Sequence, residues 1–214
     1  MASIAVVDDR EEMRESVARL IGLALEDLNI DWQVDAMAPL PTVDDYIGLV
    51  EEGDLRVLVL DENLAEIVPA DGEAVKYKGH QVAKFIRDRY KDLPQVIITS
   101  IRATDELDDA AELDAIVQRD QFEKHSTVHV ERMVRLGESF SRRHEEELAD
   151  LARLSMRVIE GTADGPDRAR LAAIREGKML GGSAQACMDM RSWLDEAESI
   201  KASLQDLASM INKG

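Results

Sequence analysis

Short runs of apolar, largely β-branched residues, separated by segments of helical periodicity, constrain this chain more than any other feature. Ile4-Ala5-Val6-Val7, Val57-Leu58-Val59-Leu60, Val96-Ile97-Ile98 and Ala115-Ile116-Val117 are bounded by polar residues. Runs of this kind read as strands covered on both faces, the environment of a parallel sheet. A further short strand is expected around residues 32–36. Between them, Met13, Val17, Leu20, Ile21 and Ala24 recur at helical spacing. Thr42 opens a capping-box-like start for a helix carrying Val43, Ile47 and Val50, and Val82, Ala83, Phe85, Ile86 and Tyr90 mark another. Thr104 can cap a short acidic helix before the last strand. The alternation predicts an α/β fold for residues 1–125, a doubly wound five-stranded parallel sheet.

Two of these strands end in carboxylates, Asp8-Asp9 after the first and Asp61 after the third. Ligands of such sheets bind beyond the carboxyl ends of the strands, so the three acids are expected to share one crevice. At about 4 Å and an effective dielectric of about 20, each like-charged pair costs roughly 4 kcal/mol. A cation or raised pKa values must relieve that.

The 214 residues are 45% hydrophobic, enough for a sizeable core, and no apolar stretch approaches the roughly 20 residues of a membrane helix. The first strand lacks the basic flank of a signal peptide, and the single cysteine, Cys187, permits no internal disulfide. These features are read as those of a cytoplasmic protein. The net charge of −18 is carried almost entirely by residues 1–125, which hold 13 Lys/Arg against 29 Asp/Glu, whereas residues 126–214 hold 13 against 15. Direct nucleic-acid binding by the first segment is therefore disfavoured.

Beyond residue 125 strand-like alternation stops. Val130, Val134, Gly137, Ser141, His144, Leu148, Leu151, Ser155 and Val158 form a seam at alternating spacings of four and three, as on a long helix of residues 126–159. At 1.5 Å per residue it would extend about 50 Å and needs a partner. Gly161 to Pro166 ends it, a second helix is expected from about Asp167, and a third from near Ser183 carries its own seam, Met190, Trp193, Ala197, Ile200, Leu204, Leu207 and Ile211. Residues 126–214 are read as an all-α coiled-coil or bundle segment that serves dimerisation and output, so a homodimer through these helices is expected.

Residues 1–125 resemble the receiver domain of bacterial two-component response regulators. Asp8 and Asp9 match the acidic pair that holds a divalent cation, Asp61 matches the aspartate that accepts the phosphoryl group, and Asn63 stands where the family supplies a metal ligand through its backbone carbonyl. Thr99, ending the fourth strand, matches the hydroxyl residue that contacts the phosphoryl oxygen, and Arg119, expected to close the fifth strand, stands where the family normally has lysine. The resemblance implies Mg²⁺ held by Asp8, Asp9, Asp61 and the Asn63 carbonyl. It also implies a sensor histidine kinase or phosphotransfer protein as phosphodonor, and a protein-binding output. The chemistry is consistent, because a carboxylate attacking phosphorus needs positive charge against the phosphoryl oxygens. Activity would be limited to self-phosphorylation from a donor and autodephosphorylation, not metabolic catalysis.

Three departures accompany the resemblance. Arg119 replaces lysine, Ile116 occupies a position where the family often carries an aromatic, and the Glu62 to Lys78 connection is about ten residues longer than usual. Lys76 or Lys78 can supply the charge that Arg119 does not, or the connection is a lid ordered by the phosphoryl group, or it is a plain surface insertion. The alternative to the switch is a pseudo-receiver scaffold that takes no phosphate. A minor alternative is phosphotransfer through His144, which Glu145 follows as in phosphotransfer helices.

Overall fold

The computed structural model of the protein describes residues 1–52, 54–66, 74–90, 92–99 and 113–175. Five parallel strands, β1 (Ser3–Val7), β2 (Gln33–Met37), β3 (Leu55–Leu60), β4 (Gln95–Thr99) and β5 (Ala115–Gln118), form one sheet in the order β2-β1-β3-β4-β5. This is the doubly wound, flavodoxin-like order of receiver domains. The helices are α1 (Glu11–Asp27), α2 (Asp45–Glu52), α3 (Gly79–Arg89), α4 (Arg119–Lys124), α5 (Ser126–Glu160) and α6 (Gly165–Arg175).

Alternate residues of the strands feed two cores. Ala5, Val7, Leu58, Leu60 and Ile97 face Tyr46 and Val50 of α2 and Val82, Ala83 and Ile86 of α3. Ile4, Val6, Val57, Val59, Val96 and Ile98 face Val17, Ile21 and Leu25 of α1 and Val130, Met133 and Val134 of α5. Burial on both sides explains why these strands read as unbroken apolar runs. Before α2, Thr42 donates through both its amide and its hydroxyl to Asp45 Oδ2, at 2.8 and 2.9 Å, which forms one half of the expected capping box, while the Asp45 amide donates to the Thr42 carbonyl at 3.3 Å rather than to its hydroxyl.

The register sets the site. β1 pairs Val7 with Leu60 of β3, so Asp8 and Asp61 leave adjacent strands side by side. β3 pairs Leu60 with Ile97, and β4 pairs Thr99 with Gln118, which brings Thr99 and Arg119 to the same end of the sheet. The chain reverses its winding between β1 and β3, where a doubly wound sheet opens its crevice.

Two expectations need correction. Arg119 does not close β5 but is the first residue of α4, a helix the sequence pattern did not announce. The amino-terminal half of the α5 seam serves the chain's own sheet, since Val130 and Val134 are buried in the second core. At Gly137 an added Cβ would stand 2.6 Å from the Trp32 ring and 3.0 Å from Arg56 Cβ, so glycine lets the helix settle on that edge. Further along α5, Leu151, Leu154 and Ser155 are buried, Gly161 ends the helix at φ 76°, and Arg157 pairs with Asp167 of α6 at 2.8 Å. The expected Thr104 helix and the third carboxy-terminal helix lie outside the described residues. Among the described residues, no helix is long and apolar enough to cross a membrane.

Candidate functional site

Asp8, Asp9, Asp61, Thr99 and Arg119 are all buried at the carboxyl ends of β1, β3, β4 and β5. The Asp61 amide donates to Val7 O at 2.9 Å and so extends the β1–β3 ladder to the acid itself. Both Asp8 and Asp61 then close the same local turn. The Arg10 amide donates to Asp8 Oδ1 at 2.9 Å and the Asn63 amide to Asp61 Oδ2 at 2.9 Å, each two residues on. Short acidic side chains favour this turn, and here it fixes one oxygen of each carboxylate.

The second oxygens meet a cation. Arg119 Nη2 donates to Asp8 Oδ2 at 2.9 Å and to Asp61 Oδ1 at 3.0 Å. Because one nitrogen reaches both, the two oxygens lie within about 6 Å of each other, the range in which like charges disturb ionisation. Burial, then the Asp8 charge, pushes the Asp61 carboxyl up to about 6, against the pull of the Asn63 amide and of Arg119. Burial works against the Arg119 charge as well, but its bonds to Asp8 and Asp61 outweigh that and raise its pKa. Arg119 Nε and Nη1 are buried and have no hydrogen-bond partner among the described residues.

The residues present suit Mg²⁺ by the chemistry of their donors. Asp9 and Asp61 offer hard carboxylate oxygens, and the main chain of Asn63 follows directly. Among the described residues no three His, Cys, Asp or Glu side chains form a metal-holding group. An ion here would thus rely on two carboxylates, a carbonyl and water, which is how Mg²⁺ is held.

The long connection after Asp61 is anchored rather than loose at its described end. Val75 and Tyr77 are buried in the core, the Tyr77 hydroxyl donates to Leu40 O, and it stands 3.2 Å from the Tyr46 hydroxyl. The intervening Lys76 and Lys78 are exposed on the outer face, so alternation turns them away from the core. Gly79 then returns against the site: an added Cβ would stand 2.2 Å from Asp61 O. Gly79→Ala should therefore cost about 1–3 kcal/mol, read from the denaturant midpoint, because backbone cannot yield as a side chain can. An unchanged midpoint would mean that α3 withdraws freely.

Sequence reasoning missed Glu62 and His80. Glu62 is buried, and its carboxylate accepts the His80 amide at 3.1 Å and lies 2.6 Å from His80 Nδ1. The only sequence signal was an acid directly after Asp61. His144 lies on α5, but its side chain is outside the described ones.

No protein-family model and no curated protein matches the chain. Solved structures to which it is similar include response regulators and receiver domains. A LuxR-family DNA-binding response regulator from Staphylococcus aureus is 21% identical, with 64% of this chain and 99% of that one covered and a TM-score of 0.45. The non-phosphorylated HemR receiver domain from Leptospira biflexa is 18% identical over 63% of this chain and 94% of that one, with a TM-score of 0.44. The response regulator TrrA from Thermotoga maritima, solved in complex with Mg(2+)-BeF, is 20% identical over 62% and 99%, with a TM-score of 0.40.

Proposed function

We propose that residues 1–125 and the start of α5 form the receiver of a two-component response regulator, in which Asp61 accepts a phosphoryl group. One observation carries this reading: a buried aspartate at the crevice of a doubly wound sheet, with an acidic neighbour, a hydroxyl residue and a cation brought to the same strand ends.

In the proposed step an Asp61 oxygen forms a bond to phosphorus, and the bond from phosphorus to the donor's leaving atom breaks with its electron pair. At neutral pH a carboxyl group with a pKa of about 6 is mainly ionised and able to attack. The Asn63 amide orients the carboxylate, and the Nε and Nη1 donors of Arg119, which have no hydrogen-bond partner among the described residues, would meet phosphoryl oxygens. Asp9, Asp61 and the Asn63 carbonyl would hold Mg²⁺ together with water, Asp8 staying on Arg119 and the Arg10 amide, and the chemistry of the ion when bound is neutralisation of phosphoryl charge. Thr99 would contact a phosphoryl oxygen. Arg119 links the pocket to α4, and α4 leads within two residues into α5, so a change at the guanidinium has a short route to the long helix. A sensor kinase or phosphotransfer protein is the proposed donor, and residues beyond 125, through a homodimer or a protein partner, the proposed output.

Incubation with acetyl phosphate and Mg²⁺ should raise the intact mass by one phosphoryl group in the wild type and not in Asp61→Asn. An equal gain in both would place the acceptor elsewhere. Arg119 also favours a second reading, a scaffold whose receiver takes no phosphate, because the guanidinium already satisfies two of the acids. That reading predicts no gain in mass and the same association state with and without the donor.

A further inference from the structure

Glu62 stands in the middle of the Asp61–Asn63 turn, and every polar group it carries there except its amide is tied to the start of α3. Its carbonyl accepts the Gly79 amide at 3.0 Å, and its carboxylate accepts the His80 amide at 3.1 Å. The remaining carboxylate oxygen accepts from His80 Nδ1 at 2.6 Å in the tautomer that carries its proton there. Glu62 is buried while the His80 side chain is partly exposed, so the carboxylate is committed to this partner inside the protein. The turn so held is the one whose Asn63 amide orients the Asp61 carboxylate. Charge-assisted hydrogen bonds of this kind are short and directional, suited to fixing a backbone angle.

We propose that Glu62 and His80 form a clamp that positions the Asp61 carboxylate. The clamp ties the acid's orientation to α3 and not to the long connection between them, whose chain leaves and returns at the clamp. Neither residue needs to touch the phosphoryl group; both act through the turn. The functional part of this role rests on Asp61 being the acceptor, whereas the structural part does not.

The test uses the full chain and two readouts. Exchange of the Asn63 amide with solvent deuterium, followed by NMR, reports its bond to Asp61, and the rate of labelling by acetyl phosphate with Mg²⁺ reports reactivity. His80→Ala should speed Asn63 exchange and slow labelling, each by about tenfold or more, since small misplacements of a reacting group are costly. His80→Asn, whose amide nitrogen can stand where Nδ1 does, should return both to within about threefold of the wild type. A general loosening of the fold would instead leave His80→Asn as impaired as His80→Ala, which would overturn the proposal. Unchanged Asn63 exchange in His80→Ala would overturn it too. If the wild type takes no label, the phosphoacceptor reading fails, while Asn63 exchange still decides the clamp.

Discussion

Arg119→Met should destabilise the protein by about 3–5 kcal/mol at neutral pH in the absence of divalent cations, because the change leaves two buried carboxylates without their shared counter-charge. Arg119 Nη2 is hydrogen-bonded to both Asp8 and Asp61, and neither acid can turn to solvent without giving up its turn with Arg10 or Asn63. Methionine fills much of the same volume, so the loss reports charge rather than a cavity. The deficit should shrink as pH falls toward 4, where Asp61, with its pKa raised to about 6, carries its proton and needs the counter-charge less. Arg119→Lys should recover only part of the stability, since an ammonium is more strongly hydrated than a guanidinium and loses more on burial beside the two acids. Urea titrations of the three proteins at pH 7 and pH 4.5 check this. Equal stability of Arg119→Met and wild type at pH 7 would show that the acids are neutralised by other groups.

Asp61, although paired with Arg119, should impose a pH dependence of the opposite sense to that of an aspartate whose salt bridge lowers its pKa. Its pKa is raised from 3.8 to about 6 in the folded protein, so the native state binds the proton more tightly than the unfolded chain. Stability from this group is fully present below about pH 3.8 and is lost as pH rises through 6, flattening above. A shift of about 2 units corresponds to about 3 kcal/mol. Asn at position 61 stands in for the protonated form. Asp61→Asn should therefore match the wild type near pH 4 and exceed it by about 3 kcal/mol at pH 7, with the difference growing between those limits. A difference that does not vary with pH would contradict the raised value.

Strands β1, β3 and β4 were legible because burial on both faces leaves no polar alternation to confuse the reading, whereas the edge strand β5 was expected to be covered likewise and exposes Ile116. The acids were legible because strand ends announce themselves as the point where Val7 and Leu60 give way to Asp8 and Asp61. The α5 helix was legible in extent but not in its neighbours. A seam of apolar residues records that something covers it, and Val130, Val134 and Gly137 turn out to be covered by the chain's own α1 and sheet edge. Helix α4 escaped because six residues carry too little periodicity. The Glu62–His80 pair joins residues 18 apart in sequence, so its geometry exists only once α3 has folded back on Asp61. The anchoring of the inserted connection depends likewise on Tyr77 meeting Tyr46 and Leu40, contacts that no local pattern encodes.

Trapping with borohydride tests the central claim most directly, since reduction of an acyl phosphate turns the aspartate that carried it into homoserine. After reaction with acetyl phosphate and Mg²⁺, peptide mass spectrometry of the wild type should find homoserine at position 61 and at no other acid. Homoserine at Asp8, Asp9 or Glu62, or none anywhere, would contradict the assignment of Asp61 as the phosphoacceptor.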